Sequence, residues 1–364
     1  MSPVIMTQRR GAFYSDMKVI RMMKQLVLLF LCLMVSSCAS PSNQVNLITV
    51  NGEIPVREMG VSLIHEHVLV DFIGADSTGY HRWERSEVVA RALPFLLEAK
   101  ENGVNTLFEC TPAYLGRDPL LLRELSEKSG INIVTNTGYY GAGNSRFIPP
   151  SALEAGPEEI ARIWIEEFKN GIEGTGIYPG FIKIAVDGGD TLSSMHVNLV
   201  RAAAITHKET GLTIVSHTGA DGPALAQLQI LKEEGVSADA FVWTHAQGGT
   251  VDGYIDAASQ GAWISLDNVN NNNVDKPGGI EWLVPILIKM KDENLLHKVL
   301  ISHDSGWYSV GQENGGDYRG YTDIFVYLVP AMMKHGFSQD EIDLLLIHNP
   351  QRAYAVSIRT MEAM

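Results

Sequence analysis

Ser62-Leu63-Ile64-His65-Glu66-His67-Val68-Leu69-Val70-Asp71 is an apolar, β-branched run interrupted by two histidines two residues apart. Its composition predicts a strand. Side chains alternate along a strand, so His65 and His67 are expected on one side and Glu66 on the other. Two imidazoles side by side suit a metal ion, although an isolated His-x-His is more often a pair of hydrogen-bonded core or edge histidines. The rest of the chain decides between these readings.

Downstream, short apolar runs alternate with longer stretches of helical spacing. The predicted strands are Val61–Val70, Val104–Cys110, Asn132–Gly138, Phe181–Asp187, Thr213–His217, Ala240–His245, Trp263–Asp267 and Val299–Asp304. Between and after them, 86–102, 117–128, 157–171, 191–210, 223–234, 251–260, 279–293 and 321–335 predict helices. Strand followed by helix, repeated, calls for parallel strands with right-handed crossovers. Eight such units fit a closed (β/α)₈ TIM barrel better than an open doubly wound sheet, whose glycine-rich dinucleotide loop is missing after the first strand. Upstream, Leu47–Val50, the turn Asn51-Gly52 and Ile54–Val56 predict a short N-terminal β-hairpin capping one barrel end.

Functional residues of such barrels gather at the carboxyl ends of the strands. Taken in order, those ends supply His65 and His67, Lys183, His217, His245 and Asp304. A random set of strand ends would be mostly apolar or small. This recurrence carries the strongest signal in the chain.

From the hairpin through Pro350 the chain resembles the phosphotriesterase family of the amidohydrolase superfamily. The resemblance rests on Leu63-Ile64-His65-Glu66-His67, Thr111-Pro112 followed by Gly116-Arg117-Asp118, Phe181-Ile182-Lys183, Ser216-His217-Thr218, Thr244-His245 and Ile301-Ser302-His303-Asp304. Each motif is weak alone, and together they are specific. The resemblance implies two divalent metal ions, zinc first with manganese or cobalt as alternatives. It places His65, His67 and Asp304 on the buried ion, His217 and His245 on the more exposed one, and a carboxylated Lys183 between them. An ammonium between two cations would be expelled, whereas a lysine carbamate offers two anionic oxygens. The implied reaction is attack of a metal-bridging hydroxide on a lactone, carboxylic ester or phosphoester, with Asp304 taking the proton. Amide or ring C–N hydrolysis, and a barrel that only binds a ligand at the surface, are the alternatives. Tyr140 matches a tyrosine facing the metals in lactonase-like relatives and is expected to orient a small-molecule substrate; a packing role is equally compatible.

The remaining histidines predict bland roles. His303 packs or supports a ligand, His196 and His207 lie on a helix and are expected in solvent, and His297, His335 and His348 sit near helix ends. Glu66 is expected to satisfy backbone or a polar neighbour. Arg117 and Asp118 are expected to be structural at a helix start. Lactonase-like relatives carry an arginine after the Leu-Asp of the seventh strand; here Leu266-Asp267 continues as Asn268-Val269-Asn270, so that cationic clamp is missing. The loop after Asp304 instead brings Trp307, Tyr308, Glu313, Asp317, Tyr318 and Arg319, a lining compatible with a polar substrate.

The N-terminus predicts export. Leu26–Met34 is an apolar run preceded by Lys18, Arg21 and Lys24, too short for a spanning helix and suited to a signal peptide at 1–37. Val35-Ser36-Ser37-Cys38 resembles the lipobox of bacterial lipoproteins, so Cys38 is expected to carry lipid on a 38–46 tether, anchoring a 47–364 hydrolase domain to the cell envelope. A plain signal peptide is the alternative. Only Cys110 is then left of three cysteines, which leaves no disulfide framework. Residues 1–37 hold five basic side chains and one acidic, so the formal −14 becomes −18 for the remainder. Such charge argues against nucleic acid or an anionic membrane surface as partner. A homodimer is expected from the habits of relatives.

Overall fold

A computed structural model describes residues 45–189, 191–272 and 276–361. The expected signal peptide at 1–37 and the expected lipidation site Cys38 lie outside them. A hairpin of β1 (Asn46–Thr49) and β2 (Gly52–Pro55) leads into β3 (Val61–Glu66) and a short β4 (Leu69–Val70). The predicted first strand therefore breaks at His67-Val68. Then follow β5 (Val104–Glu109), β6 (Asn132–Val134) with its continuation β7 (Asn136–Thr137), β8 (Phe181–Ala185), β9 (Ile214–His217), β10 (Phe241–Thr244), β11 (Trp263–Leu266), β12 (Val299–Ile301) and an outer β13 (Tyr308–Ser309).

All pairings from β3 through β5 and β6, and from β7 through β12, are parallel. Backbone bonds close the ring: Asp304 N donates to His65 O at 3.0 Å and His67 N to Ser305 O at 2.8 Å. The eight-stranded TIM barrel is thus complete, and helices cover its outside. Their boundaries have local causes. In the helix Pro119–Ser129, Asp118 Oδ1 accepts from Leu121 N at 3.2 Å and proline occupies the first turn, where its missing N–H costs nothing. Ser193 and Thr250 cap Ser194–Thr210 and Val251–Gln260 in the same way. Arg117, also expected to be structural, pairs with Glu167 at 2.6 Å. The predicted helix 321–335 begins instead at Ile324 with a wide π turn before Val329–Lys334.

One side chain from every barrel strand meets in a buried cluster: Ile64, Phe108, Val134, Phe181, Val215, Val242, Trp263 and Leu300. Only the lumen is reached by all strands, so these residues fill it. Leu47 of the hairpin and Tyr354 join them, which makes the hairpin a plug at the barrel end remote from the strand carboxyl termini. Strand parity then decides what lies one layer above. Phe181 shares its face with Lys183, Val215 with His217, and Trp263 with Asp267, while Asp304 lies three residues beyond β12 at φ 53°. Two corrections to simple alternation matter. Ile64 already faces the lumen, so His65 should face away; a bulge between Leu63 and Glu66, three steps opposite two on β5, turns His65 and His67 back inward. Val242 likewise puts His245 out of phase, and a left-handed backbone at His245 (φ 56°) recovers it.

Two histidines depart from expectation. His196 and His207 are buried, not solvated. His207 Nδ1 lies 2.8 Å from Leu212 O and its Nε2 accepts from Arg359 N at 2.9 Å, so the ring ties helix to chain end. His196 approaches Gly141 O at 3.2 Å. The exposed His297, His335 and His348 match their prediction.

Candidate metal centre

At the carboxyl mouth, His65, His67 and Asp304 converge, with ligand atoms close enough to share one ion. His67 Nε2 lies 3.2 Å and His65 Nε2 3.8 Å from Asp304 Oδ1. The second nitrogen of each ring is held from behind: His65 Nδ1 lies 2.9 Å from Asp267 Oδ2, and His67 Nδ1 2.8 Å from Thr111 Oγ1. A ring oriented through Nδ1 presents Nε2 as the ligand atom. Lys183 Nζ, with only 1% of the residue exposed, lies 3.4 Å from His65 Nε2. Across the mouth, the His245 ring sits 4.8 Å from that of His65 and 4.3 Å from that of His217. His217 belongs neither to the group of His65, His67 and Asp304 nor to the second compact one among the described residues, His65, His245 and Asp267; the hydroxyl of Tyr140 lies 3.2 Å from its ring nitrogens.

Asp267 is a site residue absent from the sequence expectations. Fully buried, it meets His65 Nδ1 through Oδ2 and His245 Nδ1 through Oδ1, each at 2.9 Å, and also accepts from His245 N. The signal was available in Trp263-x-Ser265-x-Asp267, a strand whose alternate residues face the lumen. Glu66, by contrast, behaves as expected: its carboxylate takes Ser302 Oγ at 2.8 Å, Ser305 N at 2.9 Å and His303 Nδ1 at 2.8 Å. It stitches the loop after β12 to β3 and faces no ligand. His303 accordingly supports backbone, its Nε2 accepting from Ile324 N.

Protonation states follow from burial and neighbours. Burial, reinforced by the Lys183 charge, lowers the His65 pKa to about 4, and burial with His245 close by holds His217 well below its usual value. Neutral imidazoles keep the lone pair a metal needs. For His245 burial pulls the same way, but Asp267 outweighs it and the pKa rises. Burial would raise the Asp304 pKa; the surrounding imidazoles, His67 first, overcome it and keep the carboxylate ionised. Burial lifts the Tyr140 phenol, which stays protonated at neutral pH.

Two observations test whether a cation fits. Asp304 Oδ1 is buried with no well-formed hydrogen bond and faces the ring nitrogens of His67 at 3.2 Å and His65 at 3.8 Å, an arrangement that a cation held among the three would complete. The backbone beneath turns as well, with Asp304 at φ 53°, in the left-handed region that aspartate enters more readily than most residues, and this aims its carboxylate at the histidines. Imidazole nitrogens and a carboxylate form a donor set suited to zinc and its neighbours. The residues present fit the ion.

Around the opening, Trp307 lies over His67, with centroids 4.3 Å apart, and stacks on Phe72 at 5.7 Å. Tyr140 meets Phe147 edge-on. His81 is exposed in its loop, away from these contacts.

Comparison with known protein families matches residues 45–354 to the phosphotriesterase family. Among curated relatives, a protein named phosphotriesterase homology protein from Escherichia coli is 27% identical over 296 residues, 81% of this chain and 98% of the relative. An aryldialkylphosphatase of Saccharolobus solfataricus is 27% identical, over 83% of this chain and 97% of its own. An N-acetyltaurine hydrolase of Dictyostelium discoideum is 29% identical, over 71% and 70%.

Proposed function

Because this chain belongs to the phosphotriesterase family, we propose that it is a binuclear metal-dependent hydrolase acting on a lactone, carboxylic ester or phosphoester. The observation that carries the reading is Lys183. Its Nζ is buried against His65 Nε2 and forms no ion pair among the described residues, an unsuitable place for a lone cation and, between two metal ions, a suitable one for an anionic carbamate. His65, His67 and Asp304 would hold one ion, His217 and His245 the second, and carboxylated Lys183 would join them. Two divalent ions, zinc or else manganese or cobalt, would supply Lewis acidity and acidify water at neutral pH.

The chain's own groups do the rest. Asp304, ionised and facing the ring nitrogens of His65 and His67, is placed to take a proton from water at the mouth. Tyr140, protonated and beside His217, can donate to the substrate oxygen. Trp307 and Phe72 wall the opening and limit water around the scissile bond.

The N-acetyltaurine hydrolase relative favours a second reading, in which the same centre cleaves an acyl C–N bond. Zinc-loaded protein assayed against matched lactones, esters, phosphoesters and acyl amides separates the two. Turnover confined to amides would favour the second, and no zinc uptake with no turnover would overturn both.

In the cell, the reading places the enzyme on the envelope through lipid on Cys38, after removal of residues 1–37. Labelled fatty acid should enter the wild-type chain and not Cys38→Ser; equal labelling of both would overturn the anchor.

A further inference from the structure

The proposed hydrolase leaves its substrate's charge open, and the loop after β12 bears on it. Gly306, at φ 99°, lies so close to β3 that a Cβ would fall 1.7 Å from His67 O and 2.5 Å from the Tyr321 hydroxyl. That hydroxyl itself donates to His67 O at 2.8 Å. Only glycine lets the loop lie there. Arg319 is then fixed on the same glycine by two backbone bonds, Gly306 N to Arg319 O at 3.1 Å and Arg319 N to Gly306 O at 2.9 Å. Its backbone is therefore tied to the glycine that packs against the His67 carbonyl.

The Arg319 head group, in contrast, is underused. It is partly buried, Nη1 makes one long contact of 3.4 Å to the backbone carbonyl of Asp304, and the guanidinium forms no ion pair among the described residues. That carbonyl already accepts a 2.7 Å bond from Trp307 Nε1. Other arginines of this end are committed elsewhere. Arg82 pairs with Asp71, Arg117 with Glu167, and Arg146 is spent on the carbonyls of Phe72 and Ile73. Arg319 thus keeps most of its donors free beside the mouth, on the carbonyl of Asp304 that Trp307 also holds. A planar fork of donors is suited to a carboxylate, sulfonate or phosphate.

Resting on the hydrolase reading, we infer that Arg319 is a specificity-determining residue that binds an anionic group carried a few bonds from the scissile bond. The substrate class is thus a small amphipathic monoanion, its chain lying against Trp307 and its charge against the guanidinium.

A matched pair tests this in zinc-loaded protein: the 4-nitrophenyl monoester of glutaric acid, which ends in a carboxylate, and 4-nitrophenyl pentanoate, which ends in a methyl. Wild type should prefer the glutarate. Arg319→Met should lose about 10- to 100-fold in kcat/KM for it, mainly through KM, with pentanoate changed by less than about twofold. Arg319→Lys should recover part of the loss. Independently of turnover, propane-1-sulfonate measured by calorimetry should bind Arg319→Met about tenfold more weakly than wild type. Equal losses on both esters, or an unchanged sulfonate affinity, would overturn the role of Arg319. If wild type cleaves neither ester, the ester-hydrolase reading fails, while the sulfonate measurement still decides Arg319.

Discussion

Asp267 Oδ1 lies 2.9 Å from His245 Nδ1, and the other oxygen of the same carboxylate lies 2.9 Å from His65 Nδ1. One buried acid therefore orients a histidine assigned to each of the two proposed metal ions. Burial would raise its pKa, but His245 and His65 outweigh that and keep it ionised. Asp267→Asn keeps the shape and removes the charge, so both rings lose a strong acceptor and can turn. Zinc affinity should fall about 10- to 100-fold at both positions together. Loss of a single equivalent, followed by competition with a chromogenic chelator, would show that Asp267 serves one histidine only.

Lys183→Ala tests the carbamate. Without the bridge, activity should disappear while the barrel still melts cooperatively, because one side chain is removed from a face where Phe181 continues to fill the lumen. A small carboxylic acid such as acetate or propionate should occupy the vacated position and restore part of the rate. Full activity without additive would refute the bridge.

Asp304→Asn separates holding a metal from moving a proton. His65 and His67 stay oriented by Asp267 and Thr111, so zinc should remain largely bound. Turnover should drop by about 10²- to 10⁴-fold, the range of general-base removal. Metal content by emission spectroscopy beside single-turnover rates gives the check, and unchanged rates would take Asp304 off the proton path.

Much of this architecture was legible because a parallel barrel repeats one rule. Alternation with lumen residues places Lys183 and His217, and the strand–helix rhythm counts the strands. Asp267 obeys the same rule, but a lone aspartate at a strand end does not by itself show that it faces two histidines from strands far apart in the chain. The arrival of His65 and His245 needs devices that composition does not announce: an extra residue on β3 and a left-handed turn at His245. His196 and His207 fall outside pattern reasoning for a different reason. A helix period gives the buried face, but whether a buried imidazole finds partners depends on carbonyls and amides far along the chain, such as Arg359 for His207.

His207 also makes stability depend on pH. Its Nε2 accepts from Arg359 N and its Nδ1 faces Leu212 O, which fits the neutral ring, and burial lowers its pKa below 6.5. A depressed folded-state value means the unfolded chain takes the proton first. The contribution is therefore complete above pH 6.5 and is lost as pH falls from there toward the folded-state value, with a slope of at most about 1.4 kcal/mol per pH unit. His207→Gln keeps a donor and an acceptor but cannot titrate. Urea unfolding of both proteins should show wild type ahead at pH 7.5 and the gap narrowing steadily by pH 5.5, with metal loss at the mouth common to both. A gap that stays constant across that range would mean His207 is protonated equally in the folded and unfolded chains, and burial would not depress its pKa.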